Sequence, residues 1–226
     1  RIEGTDKKGN SKEKKKFKKL KYIPLSKLER YLKGETKAEE FEEEQELGYT
    51  GMKVSVAVRG KEEPEPYRVR YFTFQEGNGL YFLVKTDNEE GIQLLDELMT
   101  GLSYSGIGGK RHTGMGRFEY ERCDMPVILR TKLETSAEKY MLLSTALPEE
   151  NELEQILEQA EYQLLKRSGF VASTDYADQQ MRKRDLYVFQ SGSCFGKTFS
   201  GQIVDVSDAG RHPVYRYAMG IFMGVG

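Results

Sequence analysis

The sequence predicts an α+β protein built from two domains, and three observations carry that prediction. From Gly48 the apolar residues alternate strictly, and after Asp87 they switch to helical spacing. The resulting order, hairpin, strand, helix, glycine loop, strand, is the latter part of a ferredoxin-like β-α-β unit, without an obvious opening strand and helix. Past Met125-Pro126 the pattern restarts, with several strands and one full helix. The expected division is residues 1–47, a basic then acidic segment with a short helix; 48–125, the remaining part of a first domain; and 126–226, a second α+β domain.

The opening segment is governed by charge. Residues 1–21 hold ten Lys/Arg against Glu3, Asp6 and Glu13, and residues 35–46 hold seven glutamates against Lys37. The net charge of −1 conceals this asymmetry, so it does not argue against a nucleic-acid partner. The alternative is that both runs are simply solvated. Phe17 to Ile23 reads as a short strand. Ser26 reads as the N-cap of a helix over Lys27 to Lys33, stopped by Gly34.

Met52, Val54, Val56 and Val58 alternate with Lys53, Ser55, Ala57 and Arg59, as in a half-buried strand. After the charged connection GKEEPEP (60–66), Tyr67 to Phe74 alternates again, giving a long antiparallel hairpin. Glu76-Gly-Asn-Gly79 turns the chain into a third strand, Leu80 to Lys85. Asp87 and Glu90 resemble a capping box for a helix with Ile92, Leu95, Leu98/Met99 and Leu102 on one stripe. Arg117 to Cys123 is a strand. In the second half Tyr140 to Thr145 is a strand and Pro148 opens a helix bearing Leu153, Ile156, Leu157 and Ala160. Strands follow at Tyr162–Leu165, Leu186–Gln190, Gln202–Val206 and Val214–Met223.

Composition excludes several function classes. Charged residues make up 31% and apolar residues 38%, with a mean hydropathy of −0.66. No apolar run is long enough to span a bilayer and no signal peptide is visible, which sets a cytoplasmic location as the expectation. Cys123 and Cys194 lie far apart and read as reduced core thiols. Two histidines exclude a histidine-rich metal site, and the carboxylates show no two-metal nuclease grouping.

The stretch Gly101 to Gly116 carries six glycines, and no acidic side chain lies between Glu97 and Glu119. Lys110, Arg111 and Arg117 are basic. Glycine lets the backbone turn sharply and approach a ligand, and consecutive exposed N–H groups form an anion cradle. The nucleotide motifs fail here: Gly109-Lys110 is followed by Arg111, Tyr104 stands where a phosphate loop needs glycine, and Arg111 ends the dinucleotide fingerprint. Those motifs also place phosphate at a helix N-terminus, whereas this loop follows a C-terminus. A nucleic-acid backbone, most simply RNA, fits better than ATP or NAD; a ligand-free glycine connection is the alternative. His112 is the one residue in the loop with acid–base capacity, and no partner for it is placed by spacing.

Two further clusters point the same way. Arg182-Lys183-Arg184 precedes the apolar-aromatic run Leu186–Phe189 and then Ser191-Gly-Ser-Cys-Phe-Gly-Lys197, a pairing suited to phosphate and 2′-OH contacts, although a solvated charged turn followed by a loop has the same pattern. Lysines 14–16, 18, 19 and 21 are interleaved with Phe17, Leu20 and Tyr22, as on single-strand binding surfaces, although a flexible basic tail has the same pattern.

Leu102-Ser-Tyr-Ser-Gly-Ile-Gly-Gly-Lys-Arg-His-Thr-Gly-Met-Gly-Arg-Phe-Glu119 resembles the glycine-rich loop of the RAMP superfamily of CRISPR proteins. More narrowly, the chain resembles the family of fourth Csm subunits of type III-A interference complexes. Ser144-Thr-Ala-Leu-Pro148, Ser168-Gly-Phe170, Arg184-Asp-Leu-Tyr187, Ser191-Gly-Ser193 and Lys197-Thr-Phe-Ser-Gly-Gln-Ile-Val-Asp-Val206 fit the same family. The resemblance implies two ferredoxin-like (RRM-like) RAMP domains, the first incomplete at its N-terminus, with the Met52–Phe74 hairpin as a thumb beside the guide–target RNA duplex. It implies a non-nucleolytic subunit that grips the repeat-derived 5′ tag of the crRNA. Its partners would be the crRNA and target RNA, the large polymerase/cyclase-like Csm subunit and the backbone RAMP Csm subunit, with no cofactor, metal or catalytic residue. The expected RNA contacts are Ser105, Gly106, Ile107, Gly108, Gly109, Lys110, Arg111, His112, Thr113, Gly114, Gly116 and Arg117 in the loop; Lys16, Lys18 and Lys19; and Arg182, Lys183, Arg184, Ser191, Ser193 and Lys197. Two other readings stay open. One is a RAMP endoribonuclease using His112, although such enzymes carry the loop near their C-terminus and about 110 residues follow it here. The other is a scaffold that touches only protein.

Overall fold

A computed structural model describes residues 15–17, 23–41, 47–57, 64–86 and 88–225. The chain divides into two compact units, residues 1–120 and 121–226. Both mix helices with antiparallel strands.

In the first unit the chain enters through a 3-10 turn, Leu25–Lys27, and helix α1, Leu28–Leu32. Ser26 therefore lies inside the turn rather than capping it; Pro24 stands at the cap position with no side-chain bond. Gly34 does stop the helix, at φ 72° with its N–H on Tyr31 O. Phe17 is helical, not the start of a strand, and its ring packs at 6.3 Å from Tyr31; residues 18–22 lie outside the described set. A second 3-10 turn, Ala38–Phe41, buries Phe41 completely, with the Tyr31 ring against its edge and the Lys27 ammonium 5.6 Å from its centroid.

Strands β1 (Gly48–Ala57) and β2 (Glu65–Phe74) form the expected hairpin, ten residue pairs long. Its faces are the reverse of the expectation. Met52 and Val54, 57% and 61% exposed, share the open face with Arg70, Arg68 and Phe72, while Gly51, Ser55, Val69, Tyr71 and Thr73 are half-buried on the other. The Tyr71 ring lies across Gly51, where a Cβ would fall 2.3 Å from it and displace the ring. Gly77, at φ 81°, turns the chain after β2 as the sequence predicts.

Two expected strands do not form. Leu80–Lys85 and the Arg117–Cys123 segment are extended but join no ladder among the described residues. A strand is a relation between two segments, and neither finds a ladder partner among the described residues. Leu80, Tyr81, Phe82 and Val84 are left exposed. Helix α2 runs from Glu89 to Ser105. Its cap is Asn88, whose Oδ1 accepts the Gly91 N–H at 2.8 Å, one residue past the expected Asp87, which lies outside the described residues. Ile92, Leu95, Met99 and Leu102 line its half-buried face, while Leu98 turns outward; no residue of α2 is fully buried.

The second unit holds an aromatic core. Helix α3, Val127–Glu134, which the sequence reading did not anticipate, begins after Pro126 and buries Leu129. Strand β3 (Tyr140–Leu142) lies between β6 (Cys194–Phe195) and β9 (Phe222–Gly224) in a three-stranded sheet. Two further ladders pair β4 (Leu164–Arg167) with β5 (Leu186–Phe189), and β7 (Gly201–Asp205) with β8 (Tyr215–Met219). Phe195 is the centre, with ring centroids of Phe189, Phe199 and Phe222 at 5.1, 5.4 and 6.1 Å in edge-on geometry. Leu142, Ala146 and Ile156 complete the buried cluster. Ile156 comes from α4, Leu153–Leu157, which starts five residues after Pro148 because Glu149 and Glu152 first make a turn. The single strand expected over Val214–Met223 is broken at Gly220, whose N–H turns aside to Ser200 O. Cys194 is half-buried; Cys123 is exposed, not a core thiol, and Glu121 beside it pushes its pKa up.

Candidate nucleic-acid interface

The glycine loop is closed at its neck by backbone. Gly106, the residue after α2, bonds back to Leu102 O at 2.7 Å, and Ile107 N–H donates to Gly116 O at 2.9 Å. The strands of the neck pass so closely that a Cβ on Gly116 would fall 1.9 Å from Ile107 O, and one on Gly106 would fall 2.9 Å from Gly116 C. Both have positive φ, 79° and 78°. Here glycine is obligatory, for conformation and for clearance.

Above the neck the loop is open. Gly108 (φ 86°) and Lys110 (φ 59°, ψ 28°) are left-handed, a 3-10 turn covers Arg111–Thr113, and Gly114 (φ 83°) returns the chain. Thr113 N–H and Gly114 N–H bond inside that turn, to Lys110 O and Arg111 O. The N–H groups of Gly108, Gly109, Lys110, Arg111 and His112 meet no acceptor among the described residues. Consecutive unpaired N–H groups around left-handed residues form a concavity that accepts anions. The negative end of α2 is meanwhile blunted: Leu102 O accepts from Gly106 N–H and Ser105 Oγ, and Ser103 O from Phe118 N–H.

The three cations divide. Lys110 reaches to the hairpin, donating from Nζ to the Tyr67 hydroxyl at 2.8 Å and lying 4.7 Å from the ring centroid. That bond, before any other cause, pulls the Tyr67 pKa down. Arg111 and Arg117 are exposed, with no ion pair among the described residues. Arg117 also borders an open groove of about 770 Å³ with Thr100, Ser103, Tyr104, Phe118, Glu119 and Tyr120. Tyr120 is fixed there by donating to Asp96 O at 2.9 Å. His112 is exposed, and no described residue hydrogen-bonds its ring.

The other expected contacts are scattered. Lys16 pairs with Glu39 at 3.1 Å, and Lys18 and Lys19 lie outside the described residues. In the second unit the Arg182 guanidinium sits over the Phe170 ring at 5.7 Å, and Arg184 Nη2 donates to Asp205 O at 2.7 Å. Lys183 is half-buried, and Ser191 and Lys197 are exposed. Ser193 is buried; its hydroxyl donates to Gln190 O and accepts from Gln163 N–H, which ties down a turn. Sequence reasoning missed Tyr67, whose role depends on a contact 43 residues away. It also missed Arg68 and Arg70, which stand across the ladder from Val54 and Met52.

No helix among the described residues is long and apolar enough to cross a membrane, and no group of three or more His, Cys, Asp or Glu residues among them is placed to hold a metal. Residues 135–225 match the family described as the CRISPR Csm4 C-terminal domain, and residues 2–175 match the CRISPR-associated protein family Cmr3. The CRISPR system Cms protein Csm4 of Mycobacterium tuberculosis (strain CDC 1551 / Oshkosh) is 40% identical over 219 residues, spanning 96% of this chain and 71% of that protein. Its counterpart in Streptococcus thermophilus is 38% identical over 207 residues, 91% of this chain and 65% of its own length. A more distant one in Methanocaldococcus jannaschii is 25% identical over 200 residues, 85% of this chain and 49% of its own length. With identities at that level across nearly the whole sequence, the chain belongs to the Csm4 family of RAMP-type CRISPR subunits.

Proposed function

We propose that the chain is a non-catalytic RNA-binding subunit of a type III-A CRISPR interference complex, and that its glycine loop anchors the repeat-derived 5′ tag of the crRNA. The observation that carries this is the run of five unpaired main-chain N–H groups, Gly108 to His112, flanked by the exposed Arg111 and Arg117. That arrangement favours a chain of phosphates over a single small anion, because it offers neutral donors and charge along one path. Base-independent donors suit a constant RNA segment held in place rather than read. Each unit is taken as a ferredoxin-like RAMP domain, with the Gly48–Phe74 hairpin as the thumb beside the guide–target duplex. Its open face mixes Met52, Val54 and Phe72 with Arg68 and Arg70, chemistry that suits a wedge against stacked bases and phosphates.

The exposed apolar surface of the first unit, including Tyr81 at 78% and Leu80 at 71%, supports a life inside an assembly. The large polymerase/cyclase-like subunit and the backbone RAMP subunit are the partners this reading assigns, in the cytoplasm. Purification of the assembly carrying Arg111→Ala with Arg117→Ala tests it. The paired variant should lose most of the co-purifying guide RNA; full retention of guide with intact 5′ tag protection would refute the loop as the anchor.

A further inference from the structure

The second unit gathers three cations that sequence spacing does not connect. Arg167 ends β4, and the next two residues are held from outside that ladder. Ser168 O accepts Arg216 Nη2 at 3.3 Å, and Gly169 O accepts the Lys183 N–H at 2.9 Å. These two bonds draw the end of β4, the 182–184 segment and β8 to one place. These bonds set Arg167, Lys183 and Arg216 beside one another, the first exposed and the other two half-buried.

Nothing among the described residues balances them. Burial first, and then the positive charges of Arg216 and Arg167, push the Lys183 pKa down. None of the three has a carboxylate within ion-pairing distance among the described residues. The nearby acids are engaged elsewhere: Asp185 holds Lys166 at 2.7 Å, and Asp205 accepts the N–H groups of Ser207 and Val214. Arg182 and Arg184 are held by Phe170 and Asp205 O, so of the basic run only Lys183 joins the triad, with Arg167 and Arg216 added from elsewhere in the chain. Partly desolvated like charges are unfavourable until an anion arrives.

We infer that Arg167, Lys183 and Arg216 form a phosphodiester-binding site that holds an RNA backbone, a second grip separate from the glycine loop. Guanidinium groups pair with the two non-bridging oxygens of a phosphodiester in bidentate fashion. A strand of RNA fits better than a protein carboxylate because exposed rings stand on the segments that carry the triad: Phe170 follows Gly169 and lies under Arg182, and Tyr187 lies across the ladder from Lys166, the neighbour of Arg167. Such rings stack bases. The source of the phosphate rests on the RNA-binding reading given above.

The test titrates the purified full chain with a fluorescein-labelled single-stranded RNA of mixed sequence across a range of KCl concentrations. Arg167→Gln with Arg216→Gln should weaken binding about tenfold and flatten the salt slope by about 1.4, roughly 0.7 for each phosphate neutralised on a single strand. Arg167→Lys with Arg216→Lys should keep the slope. Arg167→Gln alone, which removes no hydrogen bond of the fold among the described residues, should flatten the slope without lowering the melting temperature, because repulsion is relieved; a lowered melting temperature with an unchanged slope would mean that the arginine serves the fold, and would overturn the proposal. An unchanged slope in the Gln pair, with Arg111→Gln and Arg117→Gln weakened, overturns the triad and leaves the loop reading intact. Weakening by the triad pair alone supports the triad and overturns the loop. If the parent chain binds no RNA, both fall.

Discussion

Substituting the loop glycines one at a time should produce a graded response whose order follows from local geometry. Gly109 has no positive φ and no atom within 4 Å of an added Cβ, so Gly109→Ala costs close to nothing in the free protein. Gly114 also has open space but sits at φ 83°, so alanine there costs roughly 1–2 kcal/mol, the price of the left-handed region. Gly116 adds a collision to that conformational cost, with the new Cβ 1.9 Å from Ile107 O. Relief of the collision must break the Ile107 N–H to Gly116 O bond, another 0.5–1.5 kcal/mol or about that. Gly116→Ala therefore costs about 1.5–3.5 kcal/mol, all of it at the neck. Hydrogen exchange at Ile107 and Gly106, with RNA affinity measured alongside, reads this directly. Exchange should be fast and affinity lost in Gly116→Ala, intermediate in Gly114→Ala and unchanged in Gly109→Ala. Equal behaviour of Gly116→Ala and Gly109→Ala would refute the closed-neck description and the argument that glycine is obligatory there.

Other perturbations follow from the same contacts. Phe195→Ala empties the centre of three edge-on aromatic contacts and should destabilise the second unit by about 3–5 kcal/mol in chemical denaturation; a loss under about 1 kcal/mol would move the core elsewhere. Tyr67→Phe removes the acceptor of the Lys110 ammonium, so amide exchange at Thr113 and Gly114 should quicken while Gly106 is unaffected; unaltered exchange would show that the strut holds nothing. Lys183 has a folded pKa below its unfolded value, so the fold opposes its charge, and stability should rise as pH climbs through the folded value toward the ordinary lysine range. Lys183→Met should raise Tm at neutral pH and abolish that alkaline rise; a lowered Tm would mean the ammonium has a stabilising partner.

The glycine loop was the most legible feature of the sequence, because glycine frequency, the absence of acids and the failed nucleotide motifs are all local properties. The hairpin was equally plain from alternation, yet its orientation was not. Alternation says that Met52, Val54 and Val56 share a face, and only packing decides whether that face is covered. Leu80–Lys85 has the composition of a strand and lacks the partner that would make it one. Helix α3 escaped notice since eight residues after a proline carry too short a pattern. The triad escaped for a different reason. Arg167, Lys183 and Arg216 meet through main-chain bonds to Ser168 and Gly169, and no spacing rule connects residues that far apart.

Ultraviolet cross-linking of the native assembly, followed by mass spectrometry of peptide–nucleotide adducts, tests the central claim most directly. RNA-bound adducts should map to the Gly106–Arg117 loop and carry nucleotides of the repeat-derived 5′ tag. Adducts that map elsewhere on the chain, with none in the loop despite an intact guide in the assembly, would contradict the anchoring role.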